Sequence, residues 1–221
     1  MQKILRGRGY NDGMMSMARC KCYSRKQAIL ARNQLRIQQA NLPHALHPRT
    51  FENFQARAGS EDMLAACRRF TQNEGAWSIA LVGLNGTGKS HMLEAIGREM
   101  LKQGLNVRYE FVSALIDRLR HTHEEDSKED IADLMDWYKR MYLLLLDDVG
   151  AERLTPFGAE KVVELIEDRL QHESRLALAT NLTYEEMIER CGPRMASRIY
   201  QGNPALGDML VVPIGASDYR R

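Results

Sequence analysis

The stretch IALVGLNGTGKSHML, residues 79–93, decides how the chain is read. Its apolar opening, Ile79 to Val82, predicts a short buried strand of a parallel sheet. Gly83 to Ser90 then match the phosphate-loop pattern G-x-x-x-x-G-K-[ST] in full. Glycine turns tightly because it carries no Cβ, and successive backbone N–H groups can then line a concave anion nest. A helix starting near Lys89 adds the positive end of its dipole. Lys89 is placed to reach the β- and γ-phosphates, and Ser90 to put its hydroxyl on Mg²⁺. The candidate nucleotide contacts are therefore Gly83, Asn85, Gly86, Thr87, Gly88, Lys89, Ser90 and His91. A glycine-rich turn that binds nothing is the competing reading, disfavoured by the fixed residues in strand–loop–helix context.

Outward from this stretch, strands and helices alternate. Strands are predicted at Val107 to Val112, Tyr142 to Leu146, Leu176 to Ala179 and Met209 to Ile214. Helical spacing recurs from the loop to Gln103, from Ser113 (as N-cap) to Leu119, from Ile131 to Lys139 and from Thr155 to His172. Thr183 to Arg190 and Arg194 to Tyr200 are shorter helical pieces divided by Gly192-Pro193. Such alternation predicts an α/β fold, a parallel sheet covered by helices on both faces.

Three further features belong to phosphate chemistry. Leu143 to Leu146 deliver Asp147 and Asp148 at a strand end, where ligands bind in open α/β sheets. Asp147 is expected to hold Mg²⁺ beside Ser90, and Asp148 to polarise the attacking water. Asn181, after the next strand, is expected to donate to the γ-phosphate or orient the water, unless it only shapes a turn. Arg194 and Arg198 lie four residues apart, and their spacing alone assigns them nothing.

Residues 1–57 carry 11 Lys/Arg against 2 Asp/Glu, whereas the whole chain is only +2. The excess marks either a solubilising tail or a segment that meets an acidic partner. Ser24 can cap a basic helix from Arg25 to about Ala40, so residues 1–41 are read as a partner-docking segment and 42–221 as the nucleotide-binding domain. A second helix is expected near Ser60 to Asn73. Phe51 and Phe54 either cover a base or anchor the chain to the core. Cys20 and Cys22 make at most half of a zinc site, since tetrahedral zinc takes four ligands. No secretory signal or bilayer-length apolar run is apparent, so a cytoplasmic location without a membrane partner is the default expectation.

With the phosphate loop, the run DDVGAE from Asp147 to Glu152 and Asn181 in that order, the chain resembles AAA+ ATPases of the bacterial helicase-loader group. These are the DnaC- and DnaI-like proteins, close to the IstB-like transposition ATPases. Phe51 to Phe54 and Ser217 to Arg220 resemble the family's opening and closing motifs. The resemblance implies ATP and Mg²⁺ as cofactors, ATP hydrolysis (expected to be slow without a partner or DNA, because Asp148 is shorter than Glu and an isolated subunit lacks a finger), and Arg198 as an arginine finger. It also implies a homo-oligomer or an assembly on a hexameric replicative DNA helicase, which is placed on single-stranded DNA. Where the family often has Glu, the second acid here is Asp148. The chain is also expected to lack a C-terminal helical lid. The closest alternative is a transposition helper that binds DNA and recruits a transposase; a small-molecule kinase and a non-hydrolysing adaptor are further off.

Overall fold

The structure is a computed structural model that describes residues 21–43, 47–122, 130–151, 154–201, 209–215 and 218. The elements run α1 (Lys21–Ala40), α2 (Glu61–Thr71), β1 (Ser78–Gly83), α3 (Lys89–Lys102), β2 (Val107–Phe111), α4 (Val112–His121) and α5 (Ile131–Lys139). They continue with β3 (Leu143–Asp147), α6 (Pro156–Gln171), β4 (Arg175–Thr180), α7 (Tyr184–Cys191), α8 (Pro193–Tyr200) and β5 (Met209–Ile214). The five strands form one sheet in the order β2-β3-β4-β1-β5, and every neighbouring pair is parallel. β3 and β4 are buried along their whole length, as expected of central strands covered on both faces.

Each face carries its own core. On one side α2 and α3 close over Ile79, Leu81, Leu143, Leu145 and Ala177, with Phe51, Met63, Cys67 and Phe70 completing the packing. On the other, α4 to α8 cover Ala80, Leu144, Leu146, Leu176 and Leu178. Alternate residues of one strand thus serve opposite cores, the period-two rule of a strand.

Several helix starts follow their caps. Thr155 Oγ1 accepts from Gly158 N at 3.2 Å, Asp130 Oδ1 from Ala132 N at 2.9 Å, and Thr183 with Glu186 forms a reciprocal capping box. Ser113 does not cap α4. β2 runs straight into that helix, so Phe111, still paired with Asp147 in the ladder, takes the cap position and Ser113 falls within the first turn.

Arg169 organises the approach to β3. It is fully buried on α6, and its guanidinium donates to the carbonyls of Met141 (2.7 Å), Tyr142 (3.0 Å) and Arg175 (2.7 Å). Burial pulls its pKa down to about 10, which still leaves it charged at neutral pH.

The last turn of α1 belongs to the core, with Ala40 and Leu42 buried. Arg108 donates to Gln39 O at 2.9 Å, Asn41 Nδ2 to Tyr109 O at 3.0 Å, and Arg36 Nε to Asn106 Oδ1 at 3.1 Å. Residues 25–35 of the same helix are exposed, Ile29, Leu30 and Leu35 among them. The helix is held at one end and projects from the other.

Candidate nucleotide-binding site

The cleft lies at the carboxyl ends of β1, β3 and β4. Because β1 and β4 are neighbours and β3 flanks β4, the segments that follow these strands open on one crevice. It encloses about 620 Å³, an ordinary size for a small-molecule site, and Asn85 to His91, Asp148 and Asn181 line it. A side cavity of about 400 Å³ shares Asn85, Asp148 and Asn181 with it. Residues far apart in sequence are therefore neighbours in space.

The loop has the form its glycines require. Gly88 is left-handed (φ 93°) at the N-cap of α3, and an added Cβ there would lie 2.8 Å from the Phe54 ring. No side chain caps α3, so its first backbone N–H groups face the cleft unscreened by a capping side chain. Lys89 is buried, its Nζ 2.7 Å from both Gly83 O and Leu84 O, which pins the ammonium at the loop floor. Thr87 Oγ1 donates to Leu84 O at 3.0 Å and closes the loop on itself.

At the end of β3 the two acids differ in kind. Asp147 is fully buried; Tyr109 donates its hydroxyl to Oδ2, and Asp148 N donates to Oδ1 at 2.9 Å. Burial, reinforced by the Asp147 charge, raises the Tyr109 phenol far above its ordinary value and keeps the proton on the donor. Asp148 adopts left-handed backbone (φ 55°), a conformation Asp tolerates better than most residues, and lines the cleft. Thr180 Oγ1 donates to Val149 O at 2.8 Å and accepts from Leu182 N at 3.2 Å, tying the turn after β3 to the turn holding Asn181. The acid and the amide are positioned by one small network.

The outer wall separates Phe51 from Phe54. Phe51 is buried in the core, whereas Phe54 lines the cleft with Arg49, Asn53 and Gln55. His91 joins this wall to α3. Its Nε2 lies 2.8 Å from Thr50 O, and its ring meets Phe54 edge-on with centroids 5.1 Å apart. A carbonyl partner puts the proton on Nε2, and burial lowers the His91 pKa, so the ring is neutral at pH 7.

Arg194 and Arg198 line neither cavity. Both hold Glu167 of α6: Arg194 through Nε at 2.9 Å and through Nη2, Arg198 through Nε at 2.9 Å. Three groups in or near the cleft were not singled out as site residues in the sequence. Arg190 of α7 lines the side cavity next to Asp148 and Asn181. Asp218 packs on the loop, so that a Cβ at Gly86 would fall 1.8 Å from its Oδ1. Tyr109 engages Asp147 from the neighbouring strand. Among these only Asp218 carried a local signal, within the closing motif.

The donor set suits a nucleoside triphosphate with a divalent cation. Backbone N–H groups and a pinned ammonium match phosphate oxygens, and Ser90 adds a hydroxyl at the cleft. Asp147, with both oxygens already engaged and its side chain behind the surface, is suited to reach a cation through water. Among the described residues no group of three or more His, Cys, Asp or Glu forms a separate metal site. Cys67 and Cys191 are free thiols, and Cys20 with the Cys22 side chain lies outside the described residues. Among the described residues no helix is long and apolar enough to cross a membrane.

Comparison with known proteins bears on this geometry. The replicative helicase loader DnaC of Buchnera aphidicola subsp. Schizaphis graminum is 24% identical over 157 residues, 70% of this chain and 64% of that protein. The chain thus spans less than two thirds of that relative's length. Among solved structures, the DnaC helicase loader superposes with a TM-score of 0.64 at 22% identity, over 75% of this chain and 96% of that one. The replication initiator DnaA, bound to AMPPCP and single-stranded DNA, gives 0.67 at 24% identity, over 79% and 52%. The shared fold is the AAA+ type of P-loop sheet, with β1 between β4 and β5. The profile of the IstB-like ATP-binding proteins matches residues 16–201, most of the chain, and this protein belongs to that family.

Proposed function

We propose that the protein binds and hydrolyses ATP and uses the nucleotide state to load a replicative DNA helicase onto single-stranded DNA. The carrying observation is the convergence of the Lys89 loop, Asp148 and Asn181 on one cleft, in a chain whose relatives include DnaC loaders. In this reading the α3 N-terminus and Lys89 hold the β- and γ-phosphates, and Phe54 lies along the base. Ser90, and Asp147 through water, would hold Mg²⁺, which would neutralise charge on the phosphates. Asp148 takes the proton of the attacking water, and Asn181 orients that water.

The open side of the cleft presents the γ-phosphate to a neighbouring subunit. There we place Arg198 of the next copy as an arginine finger, in a homo-oligomer or on a hexameric helicase, because its own chain keeps it outside both cavities. The exposed part of α1 is the docking arm for the helicase, mounted on the core by its final turn. A transposition helper that binds DNA and recruits a transposase is the second reading, favoured by the IstB-like family match itself. Co-purification with a replicative helicase in ATP, against filament formation on duplex DNA, separates the two. Helicase capture supports loading. Filaments without capture support the helper.

A further inference from the structure

We propose that Glu167 is a positioning residue for the finger, holding Arg198 by Nε so that its terminal nitrogens face the neighbouring subunit's γ-phosphate. This deepens the shared-site reading above and rests on it. Arg194 engages Glu167 through both Nε and Nη2, a fork on the two carboxylate oxygens. Arg198 uses only Nε, on Oε1 at 2.9 Å, and no further partner of its guanidinium is found among the described residues. An arginine held side-on keeps its terminal N–H groups for another anion. The fork at Arg194 commits one terminal nitrogen as well and leaves only Nη1 wholly uncommitted. The two arginines therefore have different tasks on one carboxylate. Arg194 orients Glu167, and Glu167 orients Arg198.

The support is built into the fold. Glu167 lies on α6, two residues before buried Arg169, which fixes that helix to the segment entering β3. The finger helix α8 packs against the same helix, and its Met195, Ala196 and Ile199 are buried in the core that α6 also covers. The Glu167 side chain is about one-fifth exposed, against about one-third for Arg198, so the anchor is the more sheltered of the two. Hydrogen bonds from Arg194 and Arg198 hold the Glu167 pKa below its ordinary value, so the anchor is charged throughout the neutral range. Removing the anchor frees a side chain with large rotamer entropy, and ordering it again at every turnover opposes catalysis.

The test uses variants mixed in equal amounts, together with the helicase partner, and reads turnover per site. The control mixes Lys89→Ala with Arg198→Ala, and restored turnover establishes that the site is shared. Glu167→Ala alone should lose about 10²-fold in kcat with little change in KM for ATP, the cost of a misplaced group. Mixed with Lys89→Ala, which brings an intact finger and anchor, it should recover. Mixed with Arg198→Ala it should not, because neither chain then presents a positioned finger. Glu167→Gln keeps the shape and one accepting oxygen, and should fall between the two; it also serves if the alanine variant unfolds. A purely structural role for Glu167 would impair both mixtures alike. If the control recovers while Glu167→Ala still donates a finger to Arg198→Ala, the positioning role is overturned and the shared site stands. If the control itself fails, the shared site falls and takes this role with it.

Discussion

The nucleotide cleft and helix α8 teach opposite lessons about how a site is assembled. Lys89, Asp148 and Asn181 each follow the end of a strand, so the sheet itself brings them together. Arg194 and Arg198 are hydrogen-bonded too, yet to a carboxylate of their own chain, outside the cleft. Parallel topology gathers the first region within one chain. The second places its arginines away from that cleft, and the proposed shared site gives Arg198 its target in another copy.

The largest effect should come from Lys89→Ala. The loop then loses its pinned ammonium, and ATP affinity measured by calorimetry should drop to near undetectable while the thermal midpoint stays close to wild type. Unchanged affinity would dissolve the contrast, because the cleft would no longer be the nucleotide site.

Arg198→Ala should come next. It should leave ATP affinity of the isolated subunit unchanged and lower turnover in the assembled state by about 10³–10⁵-fold, the usual worth of a finger in trans. A loss of binding in the isolated subunit would place Arg198 in its own chain's site and erase the distinction between the two regions.

Asp148→Asn should bind ATP normally and turn over about 10²–10⁴-fold more slowly, since an amide cannot take the water's proton. Asn is the substitution of choice because it also tolerates the left-handed backbone at this position. Turnover that survives would move the base to another group, and Glu152 is the next acid in the sequence.

The smallest expected effect concerns the outer wall. Burial depresses the His91 pKa below its ordinary 6.5, so the neutral ring contributes stability above that value and the contribution is lost as pH falls through the depressed pKa. Acidification should therefore loosen the Phe54 wall before the sheet responds. Protection of the 50–54 amides in hydrogen exchange should fall at mildly acidic pH in the wild type, and His91→Gln should remove the pH dependence. Equal protection at pH 5 and pH 7.5 would show that His91 does not hold the wall.

Sequence reading went furthest where the signal is local. The phosphate loop, the apolar strands and the Gly192-Pro193 break are each written within a few residues, and each stands within a residue or so of where its pattern placed it. Ser113 failed because ladder pairing of Phe111 moved the start of α4, an interaction with a strand more than thirty residues away. Tyr109 on Asp147, Arg190 beside Asn181 and Glu167 under two arginines were illegible for the same reason. They are contacts between elements, and no spacing within one element encodes them.

The central claim is that one chain's cleft is completed by the next chain's Arg198. Mixing Lys89→Ala with Arg198→Ala tests it most directly. In a randomly mixed head-to-tail assembly about one interface in four joins an intact loop to an intact finger, so up to about a quarter of wild-type turnover should return. Two folded, co-assembling variants that stay as inactive together as they are apart would contradict it.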